Sequence, residues 1–546
     1  MFLLTVSMPF WSLGHPLIEV DDARYAEVPR EMLVLKHWAT PTLDYFDYVE
    51  KPPMGYWMSI ASYKVFGVNE AAARLPTALL SVLGIMILIW TGSWLFDFET
   101  GFLAGVFLST SLLYFFLSHY ITPDLPLTVF LLGSFSLILR TLLRPEDAAW
   151  AVPGAWAFSA LAFLSKGLIG LVFPGGWAIL SALAVPALRK NFSLLFKPLG
   201  ILLFTALLLP WFWIMEKHHP GFFKFFFWDQ HVLRFLTPKY HRSNPWYFFI
   251  LVFPLAILPW SPLALSGLWK GIAEIKKGLS ETSLAIWVLM IIGFFSISHS
   301  KLITYILPVI PQACLLAARE FKKPLARWAK NTALGLSAIF ILASIGVLIL
   351  IHTHFKTKLI PQGLPSQNLN IGCAVAVLLL FSAALWSFVF EKDAPTQALG
   401  PKIPPRLWKP FLCAYLVGFL GLYAFQFDSS FLSAKNIGHF INQFIKPGDL
   451  IYTDGIYLHG IPFYTQHPVD KVLNWTGELA YAKNLKKNQD RFGDDAAIKE
   501  LPIAGKQVFI VLQKRDIVFV LKLIQAKKMT GNRIYLSGPW AAIDIY

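Results

Sequence analysis

Near the start of the chain, the run from Asp21 to Met32 (Asp21-Asp22-Ala23-Arg24-Tyr25-Ala26-Glu27-Val28-Pro29-Arg30-Glu31-Met32) carries six charged residues, in a protein with only 14% charged residues. The adjacent carboxylates Asp21 and Asp22 suit proton transfer or metal binding. Tyr25, Val28 and Met32 fall on one helical face and Arg24, Glu27 and Glu31 elsewhere, which is also the pattern of an interfacial helix with solvated charges. A second segment, Tyr45 to Trp57, contains Tyr48-Val49-Glu50-Lys51-Pro52-Pro53. There Lys51 can hold a phosphate as a point charge and Glu50 a metal, with Tyr48 a further candidate substrate contact. The same residues also read as a Pro-Pro turn into an interfacial helix anchored by Tyr56 and Trp57.

Asp124, in His119-Tyr120-Ile121-Thr122-Pro123-Asp124, stands at the mouth of an apolar run as a catalytic carboxylate or a helix N-cap. The loop from Glu216 to Trp246 holds His218, His219, His231, His241, Arg234, Lys239 and Arg242 among aromatics. A histidine there can join a carboxylate on a divalent cation, or simply be hydrogen-bonded at an interface. Lys166 and Lys301 end apolar runs on the same side, where they either snorkel or converge on an anion.

The elements that must hold these groups are membrane helices. Mean hydropathy is +0.56, aromatics reach 16%, and the chain has 20 Trp and 47 Phe, the composition of a polytopic membrane protein. A net charge of +15 raises nucleic acid as a partner. The basic residues, however, cluster in short loops between apolar runs, so no nucleic acid is expected. Cys314, Cys373 and Cys413 lie in apolar stretches without metal-ligand spacing and read as small core residues.

A spanning helix needs about 20 apolar residues. Such runs occur at 74–96, 101–119, 124–142, 152–167, 168–188, 196–215, 247–266, 283–299, 302–317, 332–352, 371–390 and 409–426. With residues 1–14 they give about thirteen spans. The first run is too short to cross the hydrocarbon, which points to a tilted, partial helix or a start further upstream. It lacks the basic region and cleavage site of a signal peptide.

Basic residues mark alternate loops: Arg140 and Arg144; Arg189, Lys190 and Lys197; Lys270, Lys276 and Lys277; Arg319, Lys322, Lys323, Arg327 and Lys330; Lys392, Lys402 and Arg406. Those loops are cytoplasmic by the positive-inside rule. Segment 15–73, the turn before Asp124, the loop 216–246, the turn Ser298 to Thr304 and everything after about residue 427 then face outside. The expected organisation is a transmembrane domain over residues 1–427, with interfacial helices in its first outer loop, and an outer α/β domain over 428–546. In that tail, Asp449 to Thr453 and Gln507 to Leu512 read as strands and Ile517 to Met529 as an amphipathic helix. The Pro-rich stretch Gly400 to Pro410 reads as a connector.

Carboxylates, bases and a cation facing an outer cavity suit a phosphate-bearing lipid substrate, because Lys and Arg neutralise the charge that develops on a leaving phosphate. No Walker loop is present, so no nucleotide cofactor is expected.

The succession of Asp21-Asp22-Ala23-Arg24-Tyr25, Tyr48-Val49-Glu50-Lys51-Pro52-Pro53, Arg74-Leu75-Pro76, Ser165-Lys166-Gly167 and Ser298-His299-Ser300-Lys301-Leu302-Ile303-Thr304-Tyr305 resembles the C-type (GT-C) glycosyltransferases over residues 19–312. It is most similar to the aminoarabinose transferases that modify lipid A and to protein O-mannosyltransferase-like relatives. Pro462-Phe463-Tyr464 and Gly477-Glu478-Leu479 resemble the outer domain of the same group. The resemblance implies a bacterial inner-membrane enzyme with its active site and C-terminal domain on the periplasmic side. It would move a sugar from a polyprenyl-phosphate carrier to lipid A, another envelope glycolipid or a protein.

Within that resemblance Asp21 is the catalytic carboxylate, acting as general base or acceptor clamp, and Asp124 is a second functional carboxylate. Arg24 and Lys51 hold the carrier's phosphate, and Tyr305 lines the cavity. Glu50, with His241 or else His231, is implied to hold a divalent metal, Zn, Mg or Mn. Asp22, Tyr48, Lys166 and Lys301 complete the candidate substrate contacts. Asp22 stands where the family usually has Glu, and Ala23 and Pro29 replace common Thr and Ser. The reaction implied is a single displacement at the anomeric carbon with inversion. A transporter or flippase of a lipid-linked substrate is the alternative, although it would more naturally carry internal repeats and charges near mid-bilayer. A structural scaffold for envelope assembly is a third.

Overall fold

The computed structural model describes residues 2–237, 243–273, 279–323, 327–357, 375–385, 411–413, 415–418, 420, 432–475, 477–499, 501, 506–525 and 532–545. His241, Cys373, the Pro-rich stretch and most of the run 409–426 lie outside the described residues. The chain divides into two compact units, one of residues 1–11 and 77–424, the other of residues 12–76 and 425–546.

Among the described residues, six helices are long and apolar enough to cross a membrane. They are Glu70–Leu95, Asp124–Leu143, Pro145–Lys166, Pro198–His218, Leu279–Ile297 and Arg327–Gly346, and Ile169–Ala184 and Val375–Leu385 are shorter apolar helices. The protein is therefore a multi-pass membrane protein.

Several apolar runs that composition presents as single spans are broken in the backbone. Residues 101–119 divide into Phe98–Thr110 and Leu112–Leu117, because Ser111 takes an extended conformation with ψ 131°. Residues 302–317 begin with the tight turn Ile303–Val309, interrupted by Pro308, before the helix Ile310–Phe321. The first run is a short helix, Phe2–Ser7, followed by a turn containing Pro9. Proline cannot donate the helical hydrogen bond, so hydrophobicity persists where the helix does not.

In the first unit, the helix Asp124–Leu143 is buried along almost its whole length. Phe135 packs between Trp177 and Trp287, with ring centroids 4.3 and 5.0 Å away. Both indoles donate inward, Trp177 to the Ser283 carbonyl and Trp287 to the Pro308 carbonyl, each at 2.8 Å. Without water, an indole N–H must find such a partner. Arg140, in the last turn of the helix, sits over Trp90, Trp94 and Trp150 at 5.2–5.5 Å from their ring centroids and donates to Asp147 at 2.7 Å.

The second unit joins residues 12–76 to the C-terminal sheet. That segment contributes a hairpin, β1 (Thr42–Leu43) and β2 (Phe46–Asp47). The sheet contains β3 (Leu450–Asp454), β4 (Lys471–Leu473), β5 (Phe492–Gly493), β6 (Val508–Gln513), β7 (Asn532–Ser537) and β8 (Trp540–Ile545) in the order β5-β4-β3-β6-β8-β7. Strands β3 to β6 pair in parallel and β8 runs antiparallel to both β6 and β7. The helix Ile517–Gln525 buries Val520 and Ile524 against Ile510, Leu512, Ile543 and Ile545 of the sheet.

Residues 12–76 group with this sheet, whereas composition drew a single boundary near residue 427. Directed polar contacts explain the grouping. Glu19 accepts the backbone N–H groups of His459 and Gly460 at 2.9 and 2.7 Å. Lys435 pairs with Glu70 at 2.7 Å, and Arg491 with Asp44 at 3.0 Å.

The charged helix, Asp21–Leu35, also departs from expectation. Its residues from Asp22 to Met32 are all buried, including Arg24, Glu27, Arg30 and Glu31. An interfacial helix with solvated charges is thus not what forms. The charges are neutralised locally, as where Arg30 Nε donates to Glu27 Oε2 at 2.7 Å, because a buried charge without a partner is prohibitive. Glu31 accepts the Tyr45 N–H at 2.8 Å, yet burial still pushes its carboxyl above the usual carboxylate range. The folded state therefore holds this proton more tightly than the unfolded state does. The associated stability is complete below the ordinary Glu pKa and is lost as pH rises through the raised folded one. Glu31→Gln keeps an acceptor for Tyr45 and has no charge to bury. Its melting temperature relative to wild type should rise as pH is raised above the ordinary Glu range, measured by thermal melts of the purified proteins; a difference that does not change with pH would contradict the assignment.

Candidate active site

In the second unit, the turn leading into the Asp21–Leu35 helix is fixed by Arg74. Its guanidinium, fully buried, ion-pairs with Asp22 and donates to the carbonyls of Leu13, His15 and Pro16 at 2.8, 2.6 and 3.2 Å. Asp22 also accepts the Ile18 N–H at 3.1 Å. The two neighbouring carboxylates therefore have different work. Asp22 is fully buried and holds the turn, and Asp21 keeps 40% of its side chain exposed while pairing with Arg24.

Arg24 is the centre of this cluster. Nη2 meets Asp21, Nη1 lies 3.0 Å from Glu478 Oε1, and the guanidinium sits 5.2 Å from the Tyr25 ring centroid. Its Nε is buried with no hydrogen-bond partner, and so are the hydroxyls of Tyr48 and Tyr56. Burial holds both phenols well above their ordinary range, against the pull of Arg24, so they stay neutral donors. Unsatisfied buried donors of this kind call for a ligand or water, and a phosphate or sugar oxygen is a natural acceptor.

The hairpin delivers Tyr48 to this cluster. Its two-residue loop, Asp44-Tyr45, has φ 54° and 60°, the mirror-image turn that suits tight hairpins. Asp44 tolerates this conformation because it accepts the Val469 N–H at 2.8 Å and pairs with Arg491. Lys51 and Glu50 follow, both half-buried, before Pro53 leads into the helix Met54–Phe66. The Pro-Pro turn is thus where the sequence places it, and Tyr56 is a buried site residue rather than an interfacial anchor.

In the first unit, Asp124 opens its helix and is 5% exposed, with Pro123 as the capping residue. It ion-pairs with Lys166, whose ammonium lies 4.4 Å from the Tyr305 ring centroid. Lys166 ends its helix at Gly167, which has φ +88°. A Cβ on Gly167 would collide with the His231 ring.

His231 donates from Nδ1 to the Phe226 carbonyl at 2.6 Å and accepts the Leu168 N–H on Nε2 at 3.2 Å. Both nitrogens are engaged, so His231 braces the turn after Lys166 and has no lone pair left for a metal. Lys301, expected to bind an anion, is buried and donates to the Ser298 carbonyl within its own turn. Among the described residues no three His, Cys, Asp or Glu side chains gather as a metal site. His241, the expected partner of Glu50 on a metal, lies outside the described residues, and no step below is routed through a metal.

The sequence did not single out Glu478, His459, Glu19 or Arg74 as site residues. Their partners lie up to 454 positions away, as with Arg24 and Glu478, beyond the reach of periodicity or local spacing. The only signal was the Gly477-Glu478-Leu479 and Arg74-Leu75-Pro76 strings in the family likeness.

Residues 50–214 match the family model described as dolichyl-phosphate-mannose-protein mannosyltransferase. The undecaprenyl phosphate-α-4-amino-4-deoxy-L-arabinose arabinosyl transferase of Pectobacterium carotovorum is 28% identical over 505 residues, covering 89% of this chain and 86% of that one. The crystal structure of ArnT from Cupriavidus metallidurans bound to undecaprenyl phosphate superposes with a TM-score of 0.81 at 23% identity, over 100% of this chain and 97% of that one. In sequence and in fold the chain is similar to these glycosyltransferases. An archaeal oligosaccharyltransferase from Archaeoglobus fulgidus, at a TM-score of 0.51 and 12% identity, shares the fold over 99% of this chain and 73% of its own.

For this glycosyltransferase, Gly167 becomes a sensitive position. Gly167→Ala adds a methyl group where the backbone φ and the His231 ring both forbid it, and it displaces Lys166 from Asp124. Glycosyl transfer should fall about a hundredfold, the cost typical of an ångström-scale misplacement of a working group. Initial-rate assays of the purified variant check this, and near-wild-type rates would show that the Lys166 turn is not held as described.

Proposed function

We propose that this glycosyltransferase takes 4-amino-4-deoxy-L-arabinose from undecaprenyl phosphate at the outer face of the bacterial inner membrane and transfers it to lipid A. The observation that carries the reading is the buried Arg24 shared by two carboxylates, with the Tyr48 and Tyr56 hydroxyls and its own Nε left unsatisfied. Those donors suit a lipid-linked phosphate, and the curated relative quoted above is named for that donor. The distribution of Lys and Arg among the loops supports thirteen spans with the C-terminal α/β domain in the periplasm.

The reaction is a displacement at the anomeric carbon. Asp21, exposed on one side and paired with Arg24 on the other, accepts the proton of the acceptor group as its oxygen attacks. The bond from the anomeric carbon to the carrier's phosphate breaks, and the phosphate leaves with the electron pair and gains its charge. Arg24 and the Tyr48 and Tyr56 hydroxyls stabilise that charge more than they do the diester, so their effect falls on the transition state. Lys51 adds positive charge for the leaving phosphate. Within the first unit Asp124 and Lys166 form a carboxylate–cation pair, with the Tyr305 ring against the lysine ammonium. One displacement inverts the anomeric configuration.

Asp21→Asn keeps the shape and removes the base. Transfer from undecaprenyl phosphate-α-4-amino-4-deoxy-L-arabinose to lipid A, followed by mass spectrometry of the lipid, should drop by about a hundredfold to ten-thousandfold. Wild-type turnover by that variant would rule out the assignment.

A further inference from the structure

The C-terminal domain places a carboxylate on the guanidinium that Asp21 also uses. Glu478, in the turn Gly477–Leu479, approaches Arg24 Nη1 at 3.0 Å and is half-buried. Behind it stands His459, whose Nε2 is 4.0 Å from Glu478 Oε2 and whose Nδ1 is 3.4 Å from Glu19 Oε2. The imidazole is completely buried, and neither ring nitrogen has a hydrogen-bond partner. Glu19 is held in place by the backbone N–H groups of His459 and Gly460, so it cannot rotate freely to serve the ring. A buried histidine with a carboxylate on each side is placed to act on both of them.

We propose that Glu478 and His459 are positioning residues for the Asp21–Arg24 pair. Glu478 draws Arg24 away from Asp21, and His459 sets the strength of that draw. This rests on the proposed role of Asp21 as base. Other charged and titratable groups, among the described residues, face this chain of contacts. Arg24 also faces the phenols of Tyr25 and Tyr48, Glu50 faces Tyr48 and Tyr56, and Tyr457 stacks edge-on to His459 at 5.0 Å.

The physical reasoning is a competition. Arg24 carries one positive charge and has two anions to satisfy, and a carboxylate beside a guanidinium becomes a weaker base as its share of that charge grows. Neutralising Glu478 leaves Arg24 wholly to Asp21, which becomes more acidic. Removing the His459 imidazole leaves Glu478 wholly to Arg24 as the stronger competitor, and Asp21 becomes more basic. A merely structural pair of residues would not move a titration in opposite directions.

The test is the pH dependence of kcat/KM for the full-length protein in lipid nanodiscs, with undecaprenyl phosphate-α-4-amino-4-deoxy-L-arabinose and lipid A as substrates. In Glu478→Gln the acid limb should shift down by about one pH unit, and in His459→Gln it should shift up. Limbs that stay with the wild type, or that move the same way, overturn the proposal. If the fully buried His459→Gln fails to accumulate, the half-exposed Glu478→Gln carries the test alone. Asp21→Asn is run beside them. If it is inactive while the limbs stay put, this inference fails by itself; if it is active, the reading of Asp21 fails instead.

Discussion

An arginine taken almost wholly out of water must be neutralised where it sits, and the second unit is arranged around that constraint at Arg24. The side chain retains 7% exposure, so the cost of its desolvation is offset only by anions in contact with it. Asp21 comes from the same helix one turn earlier and Glu478 from the far end of the chain. The turn that presents Asp21 is itself held by a second buried pair, Asp22 with Arg74. Removing one member of such a pair strands the other, which is why the arrangement tolerates little change. The same feature suits a phosphate ligand. A guanidinium already desolvated, with a free Nε edge beside two phenol hydroxyls, is ready to accept charge without rearranging.

The first unit solves a similar problem with a lysine. Asp124 lies at the N-terminus of a deeply buried helix, where the helix dipole favours an anion, and Lys166 reaches it from the last turn of another helix. Ending that helix at Lys166 requires the positive φ of Gly167 and the bracing of the following turn by His231. A residue that looked like a metal ligand in the sequence is therefore part of the frame that aims the lysine.

Much of this was legible in the sequence, for definable reasons. The membrane class follows from long apolar runs, and the strands at Leu450–Asp454 and Val508–Gln513 follow from short β-rich runs. Asp21, Arg24, Asp124 and Lys166 stood out because charge is scarce in such a chain. Three things were not legible. The solvation of the Asp21–Leu35 helix was misread because periodicity registers apolar stripes and cannot see a partner that arrives from residues 425–546. Span boundaries blurred at Ser111 and Pro308, where hydropathy continues through a backbone break. Lys301 and His231 have the right chemistry for ligands, but their polar atoms are taken up by nearby backbone groups, which only coordinates reveal.

The claim that Arg24 is the anchor of the donor's phosphate can be tested without catalysis. Titration of the purified protein with undecaprenyl phosphate, followed by intrinsic tryptophan fluorescence, separates binding from chemistry. Arg24→Ala should weaken binding by at least about tenfold, as expected for loss of a charge-assisted contact, while Asp21→Asn, which removes a competing anion, should bind as well as wild type or better. Wild-type affinity in Arg24→Ala would contradict the claim.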